Sequence, residues 1–352
     1  MLPSQKLESW KSKSKATVLP KLRRWLSQIG AGLILTSGLA VLAFVLRSLP
    51  QLNFLSTLSL AIVLGIAVRN TVGVPQVCQP GITFSLKRIL KLAIILLGFQ
   101  LSLAQVIAIG STGLAIATAS VFATFLFTCW VGQRLGVSKK LTQLIAAGTS
   151  ICGASAVVTT GTAIDSSDED AAYAVALVTV FGATSMLLYP TLPSVLNLTP
   201  QAFGLWCGAS IHEVAQAIAA AFQSSSVSGE IASVSKLSRV ILLAPIALLL
   251  AFLATSSGTA RQRQKFHQVP IPWFVLGFIG LIFINSLNLF PEGIRITIIQ
   301  INQFLLTTAL AAMGLETKIH HLKKLGLSPL YLGTLSWIFI SVFSLTLIKI
   351  FY

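Results

Sequence analysis

Charged residues are scarce in this sequence: they make up 10% of its 352 residues, and only nine residues are acidic. A soluble domain of ordinary composition carries about 25% charged residues. Hydrophobic residues make up 55% of the chain, and no polar segment is long enough to form a separate soluble domain. The shortage of charge therefore excludes a soluble globular fold and predicts an all-α polytopic membrane protein.

Enzyme motifs are also missing. The four cysteines form no C-x-x-C pair, so neither a disulfide framework nor a zinc site is expected. Residues 212–216 nearly match the zinc-protease motif H-E-x-x-H, but Gln216 stands in place of the second histidine. Residues 148–153 have the glycine spacing of a P-loop, but Ala154 replaces the phosphate-binding lysine. We therefore expect no enzyme activity, no cofactor and no metal.

The formal net charge of +16 raises the question of nucleic acid as a partner. The N-terminal segment is basic but lacks the interleaved aromatic residues that stack on bases, so nucleic acid is not expected. We interpret residues 1–28 as a disordered, cytoplasmic tail that lies near anionic membrane lipids, and residues 29–352 as the transmembrane domain. The first apolar run is long enough to span, so no signal-peptide cleavage is expected.

The apolar runs predict about eleven transmembrane helices of 17–25 residues each. Their expected limits are 29–47, 52–69, 84–101, 104–132, 141–163, 170–190, 202–222, 237–256, 271–290, 296–315 and 328–350. Lysine and arginine residues concentrate in alternate loops, which places the N-terminus in the cytoplasm by the positive-inside rule. A plasma (inner) membrane location with several passes is the resulting prediction.

The fifth predicted span contains a run of small and polar residues between glycines, from Gly148 to Ser155. Glycine weakens a helix, and hydroxyl side chains can satisfy backbone groups that a break sets free. Secondary transporters place such broken helices at the bilayer midplane, where the helix ends bind ions and solutes. A tight crossing of two continuous helices needs the same small residues, so packing and binding both remain open at this stage.

The seventh predicted span carries an ionisable pair, His212 and Glu213, in the middle of an apolar stretch. A carboxyl group at that depth costs about 2.5–3.5 kcal/mol on insertion scales, which favours a functional role. If the helix is continuous, Gln216 lies within reach of both residues. The structural alternative is a polar cluster that joins helices. Lys236 and Arg239, at the start of the eighth span, could attract an anion, but a pair reaching to the membrane boundary is the preferred interpretation.

Two short repeats occur in the sequence. Residues 97–100 (LGFQ) resemble 313–316 (MGLE) in spans that run in opposite directions, so they indicate an inverted repeat or a chance likeness. The sequence Cys-Gly-Ala-Ser occurs at 152–155 and again at 207–210, in spans that run the same way. The second repeat therefore does not belong to an inverted pair.

Four stretches carry a family resemblance: GTSICGASAVV at 148–158, AYAVALVTVFGATSMLLYP at 172–190, WCGASIHEVAQ at 206–216 and KLSRVILLAP at 236–245. They resemble a family of YeiH-like conserved membrane proteins named for sulfate export, within the cation:proton antiporter and anion transporter superfamily. The resemblance implies an inverted-repeat bundle with broken helices, in which the fifth span is one broken helix and the tenth, near 307–314, is its counterpart.

The preferred hypothesis is a secondary active transporter that exports a small, sulfate-like anion, coupled to a proton or cation gradient. The expected binding residues are Thr149, Ser150, Cys152, Ser155, Ser210, His212, Glu213 and Gln216. Protonation of Glu213 would bias which side of the membrane the site faces. The alternative function is a membrane scaffold or sensor in which the polar cluster is structural. A homodimer is an assembly compatible with either.

Overall fold

The computed structural model describes residues 28–49, 56–101, 103–243, 245–246, 249–250, 273–287, 289–317 and 327–352. The regular elements within these residues are all helical. The helices are α1 (Gln28–Arg47), α2 (Thr57–Thr71), α3 (Gln79–Phe84), α4 (Leu90–Leu96), α5 (Leu103–Arg134), α6 (Lys139–Ala147), α7 (Ala154–Ile164), α8 (Asp168–Leu188), α9 (Pro193–Leu196), α10 (Pro200–Ser210), α11 (Val214–Ser224), α12 (Ser226–Ile241), α13 (Trp273–Ser286), α14 (Glu292–Glu316) and α15 (Leu327–Phe351). The predicted basic tail lies outside the described residues, apart from Gln28.

Hydroxyl side chains define where several of these helices begin. Ser56, Ser138, Ser167 and Thr199 each accept a hydrogen bond from a backbone N–H in the first turn of the helix that follows. Such caps satisfy N–H groups that have no partner inside the helix. The capping residues separate apolar segments, so the chain turns sharply between helices and packs them into bundles.

Five helices in the described part of the chain are long and apolar enough to cross a membrane: α1, Gly110–Arg134 of α5, Asp168–Thr191, α14 and α15. This establishes a membrane protein with several apolar helices. The expected count of about eleven is not established, because the fifth and seventh predicted spans are each divided into two helices. The eighth predicted span, 237–256, runs beyond the described residues.

One bundle contains α1, α2, α3, α4, α13 and α14. Its closest helix crossings are made by pairs of glycines. Gly65 of α2 meets Gly314 of α14, where a Cβ on Gly65 would lie 2.4 Å from the backbone oxygen of Ala311. Gly32 of α1 meets Gly81 of α3 in the same way. Small residues let helix backbones approach closely inside a membrane, where van der Waals packing is a main source of helix association.

The other bundle contains α5, α6, α7, α8, α10, α11, α12 and α15. Aromatic contacts join its helices: the rings of Tyr189 and Trp206 stack 3.9 Å apart, and those of Phe127 and Phe339 stack 4.0 Å apart. The two bundles meet along a narrower seam, where α11 contacts α2 and α14 and where α12 contacts α13. This bundle holds all the residues that the sequence indicated as a binding site.

The tenth predicted span does not contain the expected break. Helix α14 is continuous from Glu292 to Glu316, so the region 307–314 is not a counterpart of the interrupted fifth span. Its apolar turns pack against α2 through the glycine crossing, which requires a regular helix. The likeness between residues 97–100 and 313–316 also has no structural equivalent, because 97–100 form a 3₁₀ turn and 313–316 lie in α14.

Candidate functional site

The fifth predicted span is interrupted halfway along its length. Helix α6 continues into a π-helical turn, Gly148–Cys152, and α7 begins only at Ala154. Between them, Gly153 has φ 71° and ψ −133°, a conformation that residues with a Cβ rarely adopt. The break therefore depends on this glycine, and a crossing of two continuous helices does not describe the span.

A second interruption divides the seventh predicted span, which the sequence presented as one continuous apolar stretch. Helix α10 ends at Ser210, the backbone is extended at Ile211 (ψ 140°) and at Glu213 (ψ 149°), and α11 begins at Val214. His212 therefore lies in a short non-helical segment. The helical spacing expected between His212, Glu213 and Gln216 does not apply, because α11 begins after the first two of these residues.

The two interruptions lie against each other. A Cβ placed on Gly153 would lie only 2.6 Å from Cγ of Glu213, so the absence of a side chain there makes room for the glutamate. Thr179 of α8 donates a hydrogen bond from Oγ1 to Oε1 of Glu213 at 3.1 Å. The same carboxyl group faces the backbone N–H of Ala154, the first residue of α7. Glu213 thus lies between the starting ends of two helices.

Lys236 and Arg239 of α12 lie next to these interruptions and are fully buried. The expectation that they reach to the membrane boundary is wrong. Their hydrogen-bond partners are backbone carbonyl oxygens at the ends of the π-helical turn and of α10: Thr149, Ser150, Ile151, Gly208 and Ile211. The bonds from Arg239 measure 2.6–3.2 Å. Carbonyls at a helix C-terminus lack partners inside the helix and carry partial negative charge, which these two cations satisfy.

Positive charge is concentrated beside the two interruptions. The negative ends of both interrupted helices are occupied by Lys236 and Arg239, whereas the positive ends, at Ala154 and Val214, face the side of Glu213. Two buried cations and one carboxyl group leave an excess of positive charge when all three are ionised. A protonated Glu213 would raise that excess further, and helix N-termini attract anions.

The predicted residues of the fifth span contribute in different ways. Thr149 and Ser150 are buried in the π-helical turn and use their backbone oxygens to bind Arg239. The hydroxyl of Ser150 has no hydrogen-bond partner within the described residues. Cys152 Sγ lies 3.0 Å from Oγ of Ser155, which is exposed at the start of α7. The Ser150 hydroxyl is thus buried without a partner in the described part of the chain, whereas the Ser155 hydroxyl also donates to the backbone oxygen of Cys152 at 3.4 Å.

The predicted residues of the seventh span separate into two groups. Ser210 donates its hydroxyl to the backbone oxygen of Trp206 at 2.6 Å, so it serves the end of α10. His212 is fully buried, and neither ring nitrogen has a hydrogen-bond partner within the described residues. Gln216 donates to the backbone oxygen of Thr179 at 3.1 Å, while its own Oε1 is buried without a partner there. Thr179 thus links Glu213 to Gln216.

Comparisons with known proteins agree on one family. The family model described as "Conserved hypothetical protein 698" matches residues 31–333. The chain is 33% identical over 343 residues to a UPF0324 membrane protein of Bacillus cereus (97% of each chain), 35% identical over 323 residues to the UPF0324 inner membrane protein YeiH of Escherichia coli K12 (90% of this chain, 92% of the relative), and 36% identical over 344 residues to a UPF0324 membrane protein of Yersinia pestis (94% and 95%). The chain belongs to the UPF0324 family of membrane proteins. No solved structure matches it.

Sequence reasoning missed Thr179 of this UPF0324 site, and it considered Lys236 and Arg239 but assigned them to the membrane boundary. The preceding segment, 226–235, is rich in serine and low in hydropathy, so the eighth span was expected to begin at 237. Helix α12 in fact begins at Ser226, so Lys236 lies inside the helix and Arg239 lies in its last turn. The sequence feature that links the two cations is their separation by three residues, which puts both on one face of a helix. Thr179 gave no signal of its own among the many threonines of the chain.

Proposed function

We propose that this UPF0324 protein is a secondary active transporter, with no enzyme activity, that exports a small anion across the inner membrane. The proposal includes about eleven membrane-spanning segments, a cytoplasmic N-terminus and coupling through protonation of Glu213. Sulfate is the first anion to test, since the resemblance found in the sequence is to proteins named for sulfate export. An inverted repeat stays part of the proposal, with its pairing of helices undefined.

One observation carries the proposal: two interrupted helices meet at a carboxyl group, and their C-terminal ends are held by buried cations. Interrupted helices inside a membrane are tolerated where the free backbone groups are satisfied or line a cavity. Lys236 and Arg239 satisfy the carbonyl ends. The ends at Ala154 and Val214, together with Glu213, Ser150 and Ser155, are left to act on a solute. If the polar cluster only held helices together, two continuous helices would be enough and no interruption would be needed.

The two bundles offer a route to alternating access. Secondary transporters commonly move one bundle against another around a site near the midplane. Here the site lies within one bundle, and the seam beside α11 separates it from the other. Glu213 is only partly buried as a residue, and its carboxyl group lies at the meeting point of the two interrupted helices. Proton binding neutralises this group beside Lys236 and Arg239, which changes how strongly the site holds an anion.

The first prediction concerns proton coupling. Glu213→Gln keeps the size and the hydrogen bond to Thr179 but cannot exchange a proton, so anion-driven proton movement should fall to the background rate. The measurement uses purified protein in liposomes that contain a pH-sensitive dye, with an imposed sulfate gradient and then gradients of chloride, phosphate and thiosulfate.

The matched control is Glu292→Gln, which removes an exposed carboxyl group at the start of α14 and should leave proton movement unchanged. Thermal unfolding of both variants would confirm that they fold. Proton flux at the wild-type rate in a folded Glu213→Gln protein would refute the coupling role. Absence of anion-driven flux in the wild type for every anion would refute the transport proposal itself.

A further inference from the structure

A cavity lies away from Glu213, at the seam between the two bundles. Its volume is about 330 Å³. Its wall includes the end of α1, the start of α2, the far end of α11, the start of α12 and the middle of α14. The polar residues of this wall are Arg47, Ser56, Thr57, Gln100, Gln223, Ser226 and Gln303.

The charge on the wall of this cavity is positive. Arg47 lines it, and no acidic side chain does so within the described residues. Arg47 donates from Nη1 to the hydroxyl of Thr57 at 3.2 Å, which holds the guanidinium against the wall with donors to spare. The amides of Gln100 and Gln303 add N–H groups that can bind oxygen atoms. A guanidinium group binds oxyanions well, because its planar donors match two oxygen atoms at once.

We propose that this seam cavity is a second binding site for a small oxyanion, held chiefly by Arg47 and separate from Glu213. Gln223 of the cavity wall lies ten residues after Glu213, and α11 connects them. At 1.5 Å of rise per residue, the two sites are roughly 15 Å apart. An anion at Arg47 therefore lies at one end of α11, while the coupling carboxyl group lies at the other.

The seam site also suits the proposed transport path. Ser59 of α2 donates to Oε1 of Gln223 at 2.7 Å, so the cavity sits where the two bundles are joined. An anion bound there contacts both bundles and would respond to their relative movement. Anion binding at the seam does not require that Glu213 exchange protons, so this site and the coupling role can fail independently.

The test places a reporter in the cavity wall. In Ile299→Cys, on α14, the new thiol should react with a membrane-impermeant maleimide, and bound sulfate should slow that reaction. Protein in nanodiscs is labelled with and without sulfate at constant ionic strength, using gluconate as the bulky replacement anion. The protein with its native cysteines alone gives the background. We expect labelling to be roughly threefold slower at a sulfate concentration about twice the dissociation constant, because the occupied site excludes the reagent.

Three further variants separate the outcomes. Adding Arg47→Gln should abolish the protection by sulfate, while Arg47→Lys should keep part of it. Arg69→Gln, which removes the same charge from the opposite end of α2, should keep full protection, and so should Glu213→Gln. Protection that persists in the Arg47→Gln protein would overturn the proposal. It would also be overturned if Ile299→Cys fails to react or reacts equally fast with sulfate present.

Discussion

Arg239 shows how one side chain can hold two interrupted helices together. Its guanidinium donates to backbone oxygens of the π-helical turn after α6 and to the oxygen of Gly208 in α10. Burying a charge without partners is costly, so such residues in a membrane protein are paired with carbonyls or with other charges. The hydrogen bonds of Arg239 give the carbonyl oxygens the donors that they lack inside their helices. The same bonds provide the buried guanidinium with partners.

The second prediction follows at this residue. Arg239→Ala should lower the free energy of unfolding by about 3 kcal/mol or more, because it leaves several buried carbonyl oxygens without donors. Arg239→Lys should recover only part of this loss, since one ammonium cannot match the fork of a guanidinium. Thermal unfolding in detergent measures both effects.

Arg134→Ala is the control for this prediction. Arg134 is exposed and lies over the ring of Trp130, 5.1 Å from its centroid, so its loss should change stability by about 1 kcal/mol or less. Equal melting temperatures for Arg239→Ala and the wild type would show that the buried hydrogen bonds contribute nothing.

At the level of elements, the repeated Cys-Gly-Ala-Ser sequence serves two different purposes. In the fifth span its glycine, Gly153, is the hinge between the π-helical turn and α7. In the seventh span Gly208 lies inside α10 and allows close packing, since a Cβ there would lie 2.6 Å from Cβ of Ser235. The second interruption follows this motif and is formed at Ile211–Glu213 without any glycine. The same four-residue sequence thus adopts different local structures, because the helices packed against it differ.

The third prediction concerns the hinge at Gly153. Gly153→Ala should lower the free energy of unfolding by roughly 2–4 kcal/mol, from backbone strain at positive φ and from the clash with Glu213. The variant should also impair proton coupling more than its loss of stability explains, because the added Cβ displaces the carboxyl group.

Gly38→Ala in α1 is the matched change, since a Cβ on Gly38 meets no atom within 4 Å. It should be neutral or slightly stabilising, because alanine favours a helix over glycine by about 1 kcal/mol. If the two alanine variants unfold at the same temperature, the proposed strain at Gly153 does not exist.

For the whole molecule, the seam between the bundles is the surface on which movement should occur. The α2–α14 pair and the α10–α12 pair are tightly packed inside their own bundles, whereas the bond from Ser59 to Gln223 crosses the seam. In the proposed alternating access, each packed bundle would move as a rigid body, and the contacts across the seam would absorb the movement.

The fourth prediction tests that movement. Replacing Ser59 and Gln223 together by cysteine, and oxidising the pair to a disulfide, should stop anion-driven proton flux by locking the two bundles. Reduction of the disulfide should allow the flux to return.

A pair within one bundle provides the comparison. Thr128 of α5 donates to Ser336 of α15 at 2.8 Å, so cysteines at these two positions can be joined in the same way. Joining them should leave the flux unchanged. Full flux in the protein joined across the seam would rule out relative movement of the bundles as the transport step.

The sequence alone determined the class of protein and pointed to part of its candidate site. Scarce charge and long apolar runs require membrane helices, because there are too few polar groups to cover a water-facing surface. Gly148 and Gly153 indicated a break in the fifth span, and the structure has one at Gly153. A carboxyl group within an apolar stretch singled out Glu213 in the same way, because both signals are local.

Only the tertiary structure decided the rest. It divided the seventh span, left the tenth continuous and brought Lys236 and Arg239 from an expected membrane boundary into the centre of a bundle. These outcomes depend on which carbonyl groups lie opposite which donors, across about 90 residues of sequence. A helix end becomes stable inside a membrane only when another element supplies its missing hydrogen bonds, and that element cannot be identified from the segment itself.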